Sequence, residues 1–274
     1  MEIVSRNFIK LLAFGSFNTT CKLERMSTYK WKQLLNVAEE QDVCHIAITG
    51  ILQYHREHTH FFPQSIIDIV DLHKKDEAAN SKCLQNMKCS IEKANMMNNI
   101  FLRKKLRRII YNEIHSIDTS TYTLILLFKI IDAINAILYN NVNLKYIIDL
   151  GLYLRNKGDS IDYVKCESWI NLLHMRHATI AMCDILTTYF GFTNNEFPFL
   201  SAYQYKKDTK INRWIDKRFY LLDKKNKVAK YKDIVSRQHD WKNLTPLKNL
   251  NLYPLEASSK LISNVVISLA NIEE

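Results

Sequence analysis

Apolar residues recur at helical spacing along most of the chain, and the interruptions between those runs divide it into elements. Ile3, Phe8, Leu11 and Leu12 predict a first helix, which Gly15-Ser16 is expected to stop. Ser27 can cap a second helix running through Trp31, Leu34, Leu35 and Ala38 towards Asp42. A further helical stretch runs from Val43 towards His55, and Pro63 separates it from Ser65 to Lys75. The residues from Asp76 to Asn98 are polar, rich in Asn, Lys and Ser, and read as a connection.

From Asn99 the periodicity returns. Phe101, Leu102, Leu106, Ile109, Ile110 and Ile114 are expected to share one face, with Arg103, Lys104, Lys105, Arg107 and Arg108 mostly opposite. Asp118, Thr119 and Ser120 can cap the next helix, whose apolar run from Tyr122 to Tyr139 is interrupted by Lys129 and Asp132. Two central charges make it a core helix in expectation and not a membrane span. Helices over Leu144 to Lys157, Tyr163 to Leu172 and His177 to Tyr189 follow, ended by Gly191, and a last one follows Pro254 through Leu261, Val265, Leu269 and Ile272.

Only 5 Gly and 4 Pro occur in 274 residues, below the usual share of about 7% and 5%. Hairpin-rich folds need glycine at their tight turns and are thereby disfavoured. The expected fold is all-α: an irregular multi-helix bundle with a basic C-terminal helical extension. The expected organisation is an N-terminal helical region over 1–78, a polar connection over 79–98, a core bundle over 99–200 and the extension over 201–274.

The net charge of +10 is concentrated. Residues 202–250 hold fourteen Lys and Arg against five Asp, an excess of nine. In that segment Arg213, Lys217, Arg218, Lys224, Lys225 and Lys227 are interleaved with aromatic side chains that include Trp214 and Trp241. Cations pair with phosphates and rings stack on bases, so this mixture makes Arg213, Trp214, Lys217, Arg218, Lys224, Lys225, Lys227 and Trp241 the candidate nucleic-acid-binding residues. A helical segment that packs its rings and leaves its lysines in water has the same composition. Eleven of the fourteen cations are lysine, which solvates well without bidentate contacts.

The six cysteines contain no C-x-x-C pair, and Lys10 lies where a secretory leader needs an apolar core. Free thiols in the cytoplasm are expected.

Four short stretches, Trp31 to Val43, Leu154 to Asp162, Phe190 to Phe199 and Ser268 to Glu274, resemble a family of uncharacterised bacterial proteins. That family is similar to the helical flanks of bacterial nucleotidyltransferase-like proteins. The resemblance implies a helix with a basic residue and an Asp four positions later, which here are Lys145 and Asp149. Nucleotidyl transfer also needs a Gly-Ser followed by closely spaced Asp residues to hold phosphates and Mg²⁺. Gly15-Ser16 is the only such pair, and the next Asp is Asp42. The resemblance therefore implies architecture without the catalytic core.

Other chemistry-bearing groups are sparse. His55, His58 and His60, near Cys44 and His45, lack a second ligand pair at zinc-site spacing. Asp68 and Asp71 read as a solvated acidic face, and His174 with Arg176 and His177 as a local polar contact between helices. Arg108 and His115 are two helical turns apart and resemble the Arg and His pair of small helical ribonucleases, except that Ile109 replaces the polar residue after the arginine. Asp132, Asn135 and Asp149 are expected to form a buried polar network. No Ser-His-Asp elbow, glycine-rich phosphate loop or H-E-x-x-H is present.

No catalytic residue, metal or cofactor is expected. The expected function is a non-catalytic binding or scaffold role with a protein partner and no membrane. The alternative is RNA binding through the basic segment, with the Arg103 to Arg108 face contributing; ribonuclease or residual nucleotidyltransferase activity is the third reading.

Overall fold

A computed structural model describes residues 3–80, 97–139, 144–200 and 253–270. Among the described residues there are ten α-helices and no strand, so the fold is all-α. In chain order they are α1 (Ile3–Phe17), α2 (Thr28–Glu40), α3 (Cys44–Glu57), α4 (Gln64–Asn80), α5 (Ile100–Ile114), α6 (Thr121–Tyr139), α7 (Leu144–Lys157), α8 (Tyr163–Leu172), α9 (Arg176–Phe190) and α10 (Pro254–Ala270). The described residues fall into two compact units. The first holds 3–80 and 185–192, and the second holds 97–139, 144–184, 193–200 and 253–270.

In the first unit α1 runs on through Gly15 and Ser16 to Phe17, correcting the expected stop. Gly15 is there for packing: a Cβ on it would sit 2.5 Å from the Ile46 carbonyl oxygen, and one on Gly50 would sit 2.7 Å from that of Leu11. The α1 and α3 backbones therefore touch where both side chains are absent. The chain after α1 is held back onto it by Asn7, whose fully buried side chain donates to the Glu24 carbonyl at 2.7 Å and accepts from the Glu24 N–H at 2.9 Å. Arg6 grips the Glu24 carboxylate with two hydrogen bonds of 2.9 and 2.8 Å, and Lys10 lies 3.6 Å away. The hydrogen bonds from Arg6 hold the Glu24 carboxyl down at about 2. Trp31, fully buried on α2, packs edge-on against Phe62 at 4.8 Å, and the rings of Tyr54 and Phe61 extend the cluster. α4 continues to Asn80, past the Lys75 limit read from periodicity.

The second unit is built around α6. Thr121–Leu138 is long and apolar enough by length and composition to cross a membrane, and 67% of it is buried inside the protein. It packs against α7 and α8. Both central charges are half-buried, and the Lys129 ammonium lies 5.5 Å from the centre of the Tyr153 ring on α7. The Tyr153 hydroxyl donates to the Tyr122 carbonyl at 2.9 Å, and partial burial pushes its pKa up to about 12. Asp162 caps α8 by accepting from the Lys165 N–H at 2.9 Å. Cys166 and Cys183 are buried, and burial pushes the Cys166 thiol up to about 12 and that of Cys183 well above its ordinary value.

α10 is attached to the start of α5. Fully buried Glu256 accepts from the Asn98 side chain at 2.9 Å, from the Asn99 N–H at 3.0 Å and from the Asn98 N–H. Asn99 in turn caps α5, accepting from the N–H groups of Phe101 and Leu102 at 3.0 and 3.1 Å, while its amide donates to Ser259 Oγ at 2.8 Å. The Tyr253 hydroxyl donates to the Leu173 carbonyl at 2.6 Å.

Candidate binding surface

α5 buries a narrow stripe, Leu102, Leu106, Ile109, Ile110 and Glu113. At 100° per residue these positions lie within about 100° of each other. Phe101 and Ile114, expected on the same face, lie outside that arc and are exposed, Phe101 at 79%. The expectation fails because six apolar residues in a fifteen-residue helix span more than one face, and the helical angle places Phe101 with the cations.

The exposed side is ordered. Phe101, Lys104, Arg108, Tyr111 and His115 recur at three- and four-residue steps, fall within about 80° of arc, and are all exposed. Tyr111 is 63% exposed, and the His115 ring lies 4.1 Å from it at 31°, while His115 Nδ1 is 2.7 Å from the Tyr111 carbonyl oxygen. Arg107 is exposed beside this stripe. Glu113, the only carboxylate of the helix, is buried and turned away, accepting from the Ser120 N–H with Lys165 Nζ at 3.6 Å. The exposed charges of α5 are therefore all positive. Arg103 is occupied at the start of the helix, donating twice to the Met97 carbonyl at 2.9 and 2.8 Å. Lys105 crosses to the end of α8, donating to the Leu172 carbonyl at 3.0 Å with His174 Nε2 at the same distance. His174 itself has φ of +56°, a left-handed conformation uncommon outside glycine and asparagine.

The candidate nucleic-acid residues Arg213, Trp214, Lys217, Arg218, Lys224, Lys225, Lys227 and Trp241 all lie outside the described residues, as does the rest of 201–252. Asp132 and Asn135 on α6 and Asp149 on α7 are half-buried, as is Lys145 one turn before Asp149. His55 is half-buried on α3 beside Phe62, and the His58 ring lies against Tyr54 at 4.5 Å. Among the described residues no group of three or more His, Cys, Asp or Glu is arranged to hold a metal ion. Asp68 and Asp71 are exposed, with Asp68 accepting from Gln64 at 3.0 Å. A small apolar pocket of about 10 Å³ lies in the second unit between Ile134, Ile137 and Leu138 of α6 and Ala178, Ala181 and Met182 of α9. It has no polar lining to orient a substrate.

Arg108 and His115 do share one face, as their spacing predicts. The feature missed from sequence is the pair of rings that accompanies them, Phe101 and Tyr111. Its signal was present: both fall at the angular positions of the cations, not at those of Leu102, Leu106 and Ile109. No protein family, curated protein or solved structure matches the chain.

Proposed function

We propose that the protein is a non-catalytic binding protein and that the exposed side of α5 is its binding surface. One observation carries the reading: α5 holds Phe101 and Tyr111 in solvent with exposed cations around them while its own packing stripe is complete. Rings and cations exposed together along one helix face have the composition of a contact surface. The cytoplasmic location and the descent from nucleotidyltransferase-like helical flanks belong to this proposal, with Lys145 and Asp149 as structural remnants in α7. The basic segment 202–250 would add attraction for any polyanion.

The test is a photo-crosslinking amino acid placed at position 111 in the full chain, with exposed Lys30 on α2 as the control site. An adduct formed in cells at Tyr111 and absent at Lys30 is the expected result. No adduct of any kind at position 111 overturns the reading.

A further inference from the structure

We infer that the α5 surface binds single-stranded nucleic acid, reading none of its bases and gripping it by alternate stacking and phosphate pairing. The inference rests on α5 being the binding surface and names the chemistry of its partner. Phe101, Lys104, Arg108 and Tyr111 alternate ring, cation, cation, ring along about 15 Å of helix axis. Arg107 widens the positive strip on one side, and at its end the His115 ring leans against one face of Tyr111, steadying that ring. With Glu113 turned inward, the charge this surface presents is complementary to a polyanion over its whole length. The exposed carboxylate of Asp118, after the helix, has Lys165 Nζ at 3.5 Å.

The rings decide which polyanion. Protein interfaces use rings too, but their cores are depleted of charge, whereas here Lys104 and Arg108 lie between the rings. A bilayer would need a continuous apolar strip, whereas here the cations lie between the rings along the axis. A duplex hides its base faces, so it can use Lys104 and Arg108 but not Phe101 and Tyr111. Only an unpaired strand offers phosphates and free base faces to both sets of side chains. Stacking and phosphate pairing use features that every nucleotide carries, so tolerance of sequence follows.

The experiment is fluorescence anisotropy of a labelled single-stranded RNA of about twelve nucleotides, within the usual site sizes, and of the corresponding duplex, titrated with the full chain at about 50 and 200 mM salt. The doubly substituted Phe101→Ala, Tyr111→Ala protein is expected to bind the single strand about tenfold more weakly and the duplex nearly unchanged. Lys104→Gln with Arg108→Gln is expected to weaken both and to reduce the salt slope by about two. Phe101→Trp with Tyr111→Trp keeps the stacking and is expected to restore single-strand affinity. All four positions are surface sites, and thermal melting checks that each variant folds. Equal loss for single strand and duplex in the alanine variant, unchanged binding in every variant, or no binding at 50 mM salt overturns the inference. A protein adduct at position 111 without oligonucleotide binding overturns it while leaving the binding-surface reading intact. Absence of both removes the two together.

Discussion

Glu24 is the residue whose electrostatics have the largest measurable consequence. Its carboxyl is held at about 2 by the hydrogen bonds from Arg6, with Lys10 adding to the effect, against about 4.3 for a free glutamate. A depressed carboxyl stabilises the folded state above its unfolded value and loses that contribution as pH falls through its folded value. The difference in melting temperature between the wild type and Glu24→Gln is therefore expected to be constant above about pH 5 and to shrink between about pH 4.3 and 2. Thermal melts across that range check it, and a difference that grows on acidification would contradict the assignment. Both partners are well exposed, so the effect is modest and declines with salt. Asn7 acts differently at the same place. Its two hydrogen bonds to the backbone of Glu24 are local geometry that no spacing rule in the sequence signals, because Asn7 lies in an apolar helical run where a polar residue looks like a solvent position.

At the scale of elements, helix positions were legible because the apolar spacing is regular and few glycines or prolines interrupt it. α8 coincides with the stretch read from Tyr163 to Leu172. The ends were less legible. Gly15-Ser16 has the composition of a stop, yet the helix continues because α3 requires a side chain-free position there. That requirement comes from Gly50, thirty-five residues away, and no local pattern carries it. Gly15→Ala and Gly50→Ala are each expected to destabilise the protein by about 1–3 kcal/mol through overpacking against backbone that cannot move aside. Gly158→Ala is the control: its Cβ would meet only the Tyr163 hydroxyl, at 3.1 Å. Chemical denaturation of the three variants checks the contrast, and equal losses would contradict the close helix crossing. The candidate surface was half legible: the cations of α5 are evident from the sequence, but the exposure of its rings depends on which hundred degrees of the helix the second unit covers.

For the whole molecule, the least legible feature is the one that fastens the last described helix to a much earlier one. Glu256 looks like a capping acid in the first turn of α10, whereas it is fully buried and serves α5. Glu256→Ala would leave the N–H groups of Asn98 and Asn99 without that acceptor, and a loss of about 3 kcal/mol is expected, within the range for unsatisfied buried groups beside a removed charge. Glu256→Gln retains one oxygen and should lose less; urea titration of the two distinguishes them, and an unchanged midpoint in Glu256→Ala would contradict the buried role. The grouping of Ile185–Phe192 with the first unit is likewise unmarked in sequence, since Ile185 to Phe190 continue α9 with no break at Asp184.

The 158 positions between Asn98 and Glu256 also impose a delay during synthesis. At about 5–20 residues per second, roughly 8–30 s pass between the emergence of the two partners. Throughout that interval the N–H groups of Asn98 and Asn99 lack the carboxylate that accepts from them in the folded protein. The arrival of α10 supplies it.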